Sequence, residues 1–230
     1  NKSTDHFNTK LYTGNGSTQT ISGVGHQPDW TWAKVRSEVG SHRLADAVRG
    51  NTKYLFSNGT DAEATDSTNI TSWNSDGFAL GNGSINENTR TYASWNWKAN
   101  GAGSANTTGS INSTVSVNTT SGFSIVKYTG TGANATVGHG LGVAPKMIHV
   151  KGINTNSTNW LTGGSNISSN WASSLHLNTT AGIDTYNYWQ NYAPNANVFY
   201  MTSDGALNQS GIDYIAYCFS DVQGYSKFGS

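Results

Sequence analysis

A five-residue block occurs twice in this chain, and that repetition limits the possible folds more than any other feature. Tyr12-Thr13-Gly14-Asn15-Gly16 returns 116 positions later as Tyr128-Thr129-Gly130-Thr131-Gly132. Downstream, Val24-Gly25-His26-Gln27-Pro28 corresponds to Leu141-Gly142-Val143-Ala144-Pro145, and Lys34 to Lys151, with one extra residue absorbed in a glycine-rich loop. Phe78-Ala79-Leu80 matches Phe199-Tyr200-Met201, and Tyr92, Trp95 and Trp97 match Tyr214, Tyr217 and Phe219. Aromatics lie inside the matched blocks and insertions between them, the pattern of two divergent copies of one unit.

Each copy reads as short strands. Only three Glu and two Met occur among 230 residues and Leu is sparse, so the best helix formers are missing. β-branched and aromatic residues, which suit strands, are plentiful. Trp30 to Val35 and Met147 to Lys151 follow a proline-ended loop and have strand length and content. Tyr92 to Trp97 and Tyr214 to Phe219 form a second pair; the latter run is apolar on both faces, as a central, doubly covered strand should be. Ser113 to Asn118, the turn Thr119-Thr120-Ser121-Gly122 and Phe123 to Tyr128 read as a hairpin with one polar face. Arg36 to Arg49 is loosely helical in spacing, but Gly40 and Ser41 interrupt it, so loop plus strand is expected.

Ala99 to Ser110 contains no large apolar residue and has linker composition. The expected organisation is therefore all-β, two tandem β-sandwich modules of jelly-roll or lectin-like type: residues 1–105, with an N-terminal linker over 1–10, and residues 106–230.

Thirteen basic and thirteen acidic residues cancel, and charged residues are 11% of the chain, against roughly 25% in an ordinary soluble domain. The four Arg and nine Lys are scattered singly. A phosphate-tracking surface needs them clustered, so nucleic acid is not an expected partner. No stretch approaches the ~20 apolar residues of a membrane span, the first residues carry no apolar run like a signal peptide, and no membrane insertion is expected. The single cysteine, Cys218, excludes an intrachain disulfide and a multi-cysteine zinc site, and is expected in a strand as a small hydrophobe.

Phe7 to Gly16 followed by Gly23-Val24-Gly25-His26-Gln27-Pro28-Asp29 resembles a repeated module of marine bacteriophage virion proteins. So does Phe123 to Gly132 with Gly138 to Lys146. Val48-Arg49-Gly50 before Thr52-Lys53-Tyr54-Leu55, and Ser75-Asp76-Gly77-Phe78, look like that family's pattern, and together the blocks span nearly the whole chain. Similar modules occur in tail-fibre-like and other surface proteins, often in tandem beside lectin-like sandwich domains. The resemblance implies a place on the virion surface, extracellular, and no catalytic residues. This chain departs from the pattern in having Trp30 and Trp32 where an aliphatic strand is usual, and in lacking the Val-Arg-Gly block in its second copy. Gly224 to Ser230 looks like the entry into another module, or is the last strand of this one.

The chemistry of known site types finds little purchase. A glycosidase needs two carboxylates across one sugar bond, but Asp61, Asp66, Asp76 and Asp204 sit in turn-like stretches where Asp caps its own backbone. The six His form no metal-ligand spacing; His26 and His139, in corresponding loops, are expected to bond backbone. No Gly-x-Ser-x-Gly elbow appears, and the Tyr-Thr-Gly-Asn-Gly loop lacks the ending of a phosphate cradle. No catalytic residue, metal or cofactor is therefore expected.

Aromatics beside amides are the remaining signal. Sugars stack their C–H faces on Trp or Tyr while amides bond the hydroxyls. Trp160, Trp171, Tyr186, Tyr188 and Trp189, with Asn159, Asn187 and Asn191 (and Asn170 close by), make the middle of the second copy the candidate ligand surface. The competing reading is that these aromatics fill a small core. Trp30, Trp32, Trp95 and Trp97 lie in strands and are expected in core. The expected function is a non-enzymatic structural and adhesive part of a phage tail fibre or surface appendage. It would contact a host cell-surface glycan or protein, and as a homo-oligomer also other virion proteins. The alternatives are a purely architectural capsid-decorating or filament-forming subunit, and, further off, a glycan-cleaving enzyme.

Overall fold

The computed structural model describes residues 2–229; Asn1 and Ser230, the outer ends of the expected linker and of the second module, lie outside the described residues. Within them the only helical turn is a 3-10 turn at Ser3–Asp5, and the rest of the regular structure is strand. The sequence expectation of an all-β chain holds. All the strand pairs are antiparallel. The chain forms two compact units, one of residues 1–58 and 63–102, the other of residues 59–62 and 103–230.

The first unit contains β1 (Phe7–Thr13), β2 (Gln19–Ile21), β3 (Trp30–Val35), β4 (Arg43–Asp46), β5 (Lys53–Phe56), β6 (Ala64–Thr65), β7 (Ile70–Asn74), β8 (Gly77–Leu80) and β9 (Thr91–Trp97). Six of them form a sheet in the order β1-β9-β3-β4-β5-β6, and three form another in the order β2-β8-β7. Period-2 alternation decides what faces the core. Ala33, Val35, Ala45 and Tyr92 come from the larger sheet and Ile21, Phe78, Leu80 and Ile70 from the smaller, and all belong to one buried cluster. The opposite face of β3 carries Trp30, Trp32 and Lys34. Trp30 is buried as expected, whereas Trp32, Trp95 and Trp97 are only half-buried.

The second unit contains β10 (Ser104–Asn106), β11 (Ser113–Asn118), β12 (Phe123–Thr129), β13 (Ala135–Gly138), β14 (Met147–Gly152), β15 (Leu161–Gly164), β16 (Leu175–His176), β17 (Val198–Met201) and β18 (Asp213–Phe219). Its larger sheet runs β10-β11-β12-β18-β14-β15-β16, and β13 pairs with β17. The both-sided apolar run from Tyr214 to Phe219 is buried throughout and is the middle strand of the seven. Cys218 lies there, its thiol pushed up to about 12 by burial, which leaves it a small hydrophobe. The hairpin β11–β12 forms across the expected turn, with Asn118 opposite Phe123, but its polar face is not a wet one: Ser116 and Ser124 are fully buried.

Two linker expectations are corrected. Residues 7–10, assigned by sequence to an N-terminal linker over 1–10, are strand, with Phe7 opposite Trp97 and Lys10 opposite Ser94. Within Ala99 to Ser110, Ser104–Asn106 forms β10 against β11. Small hydroxyl and amide side chains suit an edge position as well as they suit a linker, because an edge strand needs backbone pairing on one side and little apolar burial. The contacts divide after Ala102, where composition suggested residue 105.

Titratable groups packed within the second unit tie folding to pH. His149 on β14 accepts or donates one bond with Thr162 Oγ1 at 2.8 Å, and burial holds its imidazole down at about 4. Unfolded, it titrates near its ordinary value of about 6.5. Between these values the unfolded chain binds more protons, so the stability is full above the unfolded value and drains away as pH falls toward the folded one. The urea midpoint is therefore expected to drop between about pH 7 and about pH 5, and His149→Gln to flatten part of that slope; burial of His139 supplies another share. An unchanged slope in the variant would remove His149 from the account. Lys151, also buried, donates to Gly152 O at 2.7 Å and to Thr60 O and Thr158 Oγ1, both at 3.1 Å, and desolvation lowers its amine to about 8.

Candidate recognition surface

The repeated glycine motif is an internal device of each unit. In the first, Tyr12 and Tyr92 stack with ring centroids 5.1 Å apart; Tyr12 donates to Ile85 O and Tyr92 to Ser84 O. Buried Asn86 accepts from Asn15 N at 3.1 Å and donates to Gly81 O and Ser17 O. In the second, Tyr128 and Tyr214 stack at 5.4 Å and donate to Leu207 O and Gly205 O. Buried Asn208 accepts from Thr131 N at 2.9 Å and donates to Thr202 O and Ala133 O. Glycine is required at the motif's third position, since a Cβ at Gly14 or Gly130 would stand 2.2 or 2.3 Å from the carbonyl oxygen of Glu87 or Gln209. These loops spend their donors on their own backbone, so they offer nothing to a phosphate.

The other polar candidates bond to the protein's own backbone. Asp66 Oδ1 accepts from Thr68 N, Asp76 from Gly25 N and Gly23 N, and Asp204 Oδ1 from Ala206 N. Asp66 and Asp204 thus cap their own turns as expected of Asp there, whereas Asp76 ties down a glycine loop more than fifty residues away in sequence. His26 Nδ1 lies 3.1 Å from Thr4 O and His139 Nε2 3.0 Å from Asn195 O, as expected for loop histidines. Among the described residues no group of three or more His, Cys, Asp or Glu is placed to hold a metal ion. Among those residues no helix is long and apolar enough to cross a membrane.

The eight residues expected to form a ligand surface separate into two groups. Trp160, Trp171 and Trp189 are 0–1% exposed, and the last two belong to the main core of the second unit. This corrects the expectation that their rings stack on a ligand: an indole with no open face is filling volume. Asn159 is also diverted, accepting from Asn178 Nδ2 at 2.9 Å, while Asn178 Oδ1 takes the Trp160 amide. Tyr188 is half-buried against the core, whereas Tyr186, Asn187 and Asn191 are exposed.

What remains is held by Asp184. Its backbone exchanges two 2.8 Å bonds with Ser174, and its carboxylate accepts from Tyr186 N at 2.9 Å, Tyr188 OH at 2.8 Å and His176 Nε2 at 3.1 Å. The Tyr186 amide, then the Tyr188 hydroxyl and His176, keep this carboxyl below the usual carboxylate range. Burial, and then the bond to Asp184, pushes the Tyr188 phenol up. Beneath the network Trp189 Nε1 donates to Ser174 Oγ at 2.8 Å, so the loop is anchored to the core through that indole. Gln190 and Asn191 take left-handed backbone angles, and Gln190 Nε2 donates to Met201 O at 2.7 Å, fixing the turn that carries Tyr192.

On this rigid base, apolar groups face water. Leu177, Ile183, Tyr186 at 55% and Tyr192 at 61% are four of the seven large hydrophobics exposed among the described residues, and all fall within residues 177–192. Tyr186 leans on Tyr188 at 4.8 Å and Tyr192 on Tyr200 at 5.5 Å, while Asn195 Nδ2 donates to the Tyr200 hydroxyl. This concentration of exposed aromatic and aliphatic side chains in one stretch makes it the candidate interaction surface. Sequence reasoning missed Asp184, His176, Ile183 and Tyr192. The one signal for Tyr192 was its place in the same amide-rich run as Asn191, and nothing local announced Asp184 as the organising carboxylate.

A family model described as "Domain of unknown function (DUF7483)" matches residues 2–230, so the chain belongs to that family. No curated protein and no solved structure matches the chain.

Proposed function

We propose that this chain is a non-enzymatic adhesion and structural part of a phage virion, extracellular on its surface, in which the exposed tyrosines and amides of residues 177–192 contact a host glycan. The observation that carries the glycan reading is the pair of exposed, supported rings, Tyr186 and Tyr192, with Asn187 and Asn191 exposed beside them. A tyrosine ring presents a flat apolar face and a polar tip at low conformational cost, which suits a sugar's C–H face and hydroxyls. The phage assignment is supported by the ordered, twice-occurring sequence blocks that resemble marine phage virion modules. In this reading the two units are tandem copies of one jelly-roll-like sandwich, supported by the matched Tyr–Tyr stacks and buried Asn86 and Asn208. A shallow surface binds weakly, and repetition over subunits of a homo-oligomer raises avidity through effective concentration.

The test is saturable binding of the labelled chain to candidate host cells, with and without competing surface polysaccharide and with an unrelated β-sandwich as control. Polysaccharide should abolish the binding, and Tyr186→Ala with Tyr192→Ala should weaken it at least about tenfold without altering the circular dichroism spectrum. Absence of saturable binding, or binding indifferent to both substitutions, would overturn the reading and favour a purely architectural subunit.

A further inference from the structure

We infer that the outer edge of β1 is a self-association site, at which two copies of this chain pair β1 to β1 in antiparallel fashion about a two-fold axis with Thr9 opposite Thr9 of the second copy. This goes beyond the adhesion reading and rests only on its view of the two units as copies.

β1 ends its six-stranded sheet, and among the described residues no strand pairs with its other side. Its counterpart by sequence, β12, has that same side covered by β11. Parity fixes which groups point outward. Lys98 N donates to His6 O and Gly14 N to Arg90 O, so the even residues of β1 bond to β9 and Phe7, Thr9, Leu11 and Thr13 aim their amides and carbonyls away from the sheet. In the second unit the corresponding Phe123, Ile125 and Lys127 lie opposite Asn118, Ser116 and Thr114 of β11. The edge geometry is thus one that this fold closes with an antiparallel strand where it supplies one. Exposure agrees: Thr9 is exposed where its counterpart Ile125 is fully buried, and Leu11 is 62% exposed where its counterpart Lys127 is half-buried.

The side chains select a second copy and its register. Every two-fold alignment centred on a residue of this strand satisfies the outward parity, so the side chains must choose among those near its middle. Centring on Leu11 leaves Phe7 beyond the partner's strand, opposite its Asn15. Centring on Lys10 sets two ammonium groups face to face, which opposes pairing. Centring on Asn8 leaves Leu11 beyond the partner's strand, opposite its Asp5. Centring on Thr9 places Thr against Thr, Lys10 against Asn8 and Leu11 against Phe7 on both sides of the axis, each a favourable cross-strand combination, and gives an isologous interface that closes on itself. The competitor is internal: Asn8 Oδ1 already accepts from Thr9 N at 2.9 Å, a local cap that must open for pairing. It makes the association concentration-dependent rather than obligate.

Sedimentation or light scattering from low to high micromolar concentration should show the mass rise from one chain to two. Thr9→Pro, which removes an outward amide without touching the β1–β9 ladder, and Leu11→Lys, which charges the edge, should each return the protein to monomer with an unchanged circular dichroism spectrum. Thr9→Cys should give a covalent dimer under mild oxidation and Lys10→Cys should not, while buried Cys218 stays silent. A chain that stays monomeric throughout, or a dimer indifferent to both edge variants, would overturn the proposal. A monomer that nonetheless binds a peptide of residues 112–118 would overturn the dimer while keeping the equivalence of the two edges; binding of neither would end both. Cell binding is read separately, so a failed adhesion test leaves this result standing.

Discussion

Trp171→Ala is expected to cost the second unit about 3–5 kcal/mol, the range for deleting a large aromatic from a packed core. The Trp171 ring is 1% exposed and meets Trp189 edge-on at 5.2 Å, and Trp189 in turn meets Phe199 at 6.3 Å. Collapse into the space left behind is obstructed, because the ring lies against bare backbone: a Cβ on Gly163 of β15 would stand 2.6 Å from it, and Gly163 has no side chain to move in. Trp171 also holds a left-handed φ of 59°, which alanine tolerates no better. Trp171→Gly relieves that strain by about 1 kcal/mol and leaves the cavity, so it too should be strongly destabilised. The measurement is urea unfolding, with a lower midpoint at unchanged slope. Tyr186→Ala, on an exposed side chain, should stay within about 0.5 kcal/mol of the parent. If Trp171→Ala instead preserved the midpoint and abolished cell binding, the indoles would be the contact surface after all.

That contrast between Trp171 and Tyr186 shows where sequence reading reaches and where it stops. Strands announced themselves because period and composition are local: Trp30–Val35, Tyr92–Trp97 and the doubly apolar run ending at Phe219 form where expected. Even the central position of β18 follows from apolar residues on both of its faces. Burial of a given aromatic is not local. Tyr186, Tyr188 and Trp189 are near neighbours in one polar loop, yet their exposure runs from open to closed, set for Trp189 by core residues such as Phe199 distant in sequence. The same holds for the first residues of β1 and for β10, which read as linker until a partner strand is present. Edges and sites are made by tertiary neighbours, and a lone sequence shows those neighbours only through its repeats.

Arg49→Ala should produce a loss of about 3–5 kcal/mol in the first unit, because it breaks a buried ion pair from one side. Arg49 Nε meets Asp46 Oδ2 at 2.5 Å with both side chains inaccessible to water, Nη1 reaches Glu63 Oε2 at 3.2 Å, and Nη2 donates to Leu44 O at 3.0 Å. The turn after β4 builds this contact: Arg49 N caps Asp46 Oδ1 at 2.9 Å and Gly50 N bonds Asp46 O at 3.0 Å. Alanine keeps the turn amides but withdraws the guanidinium, so the buried Asp46 carboxylate loses its ionic partner. Arg49→Lys retains the charge and loses the planar fork, so it should be intermediate. Pairing Arg49→Met with Asp46→Asn removes both charges and should recover much of the loss, a coupling that a merely steric role for Arg49 would not show. Hydrogen exchange at the amides of β3, β4 and β5 gives the local readout. Equal losses in the single and double variants would mean that Arg49 packs rather than pairs. The expected recovery would make the Val48-Arg49-Gly50 block, absent from the second copy, a device for burying one ion pair in the first rather than a surface the second copy lacks.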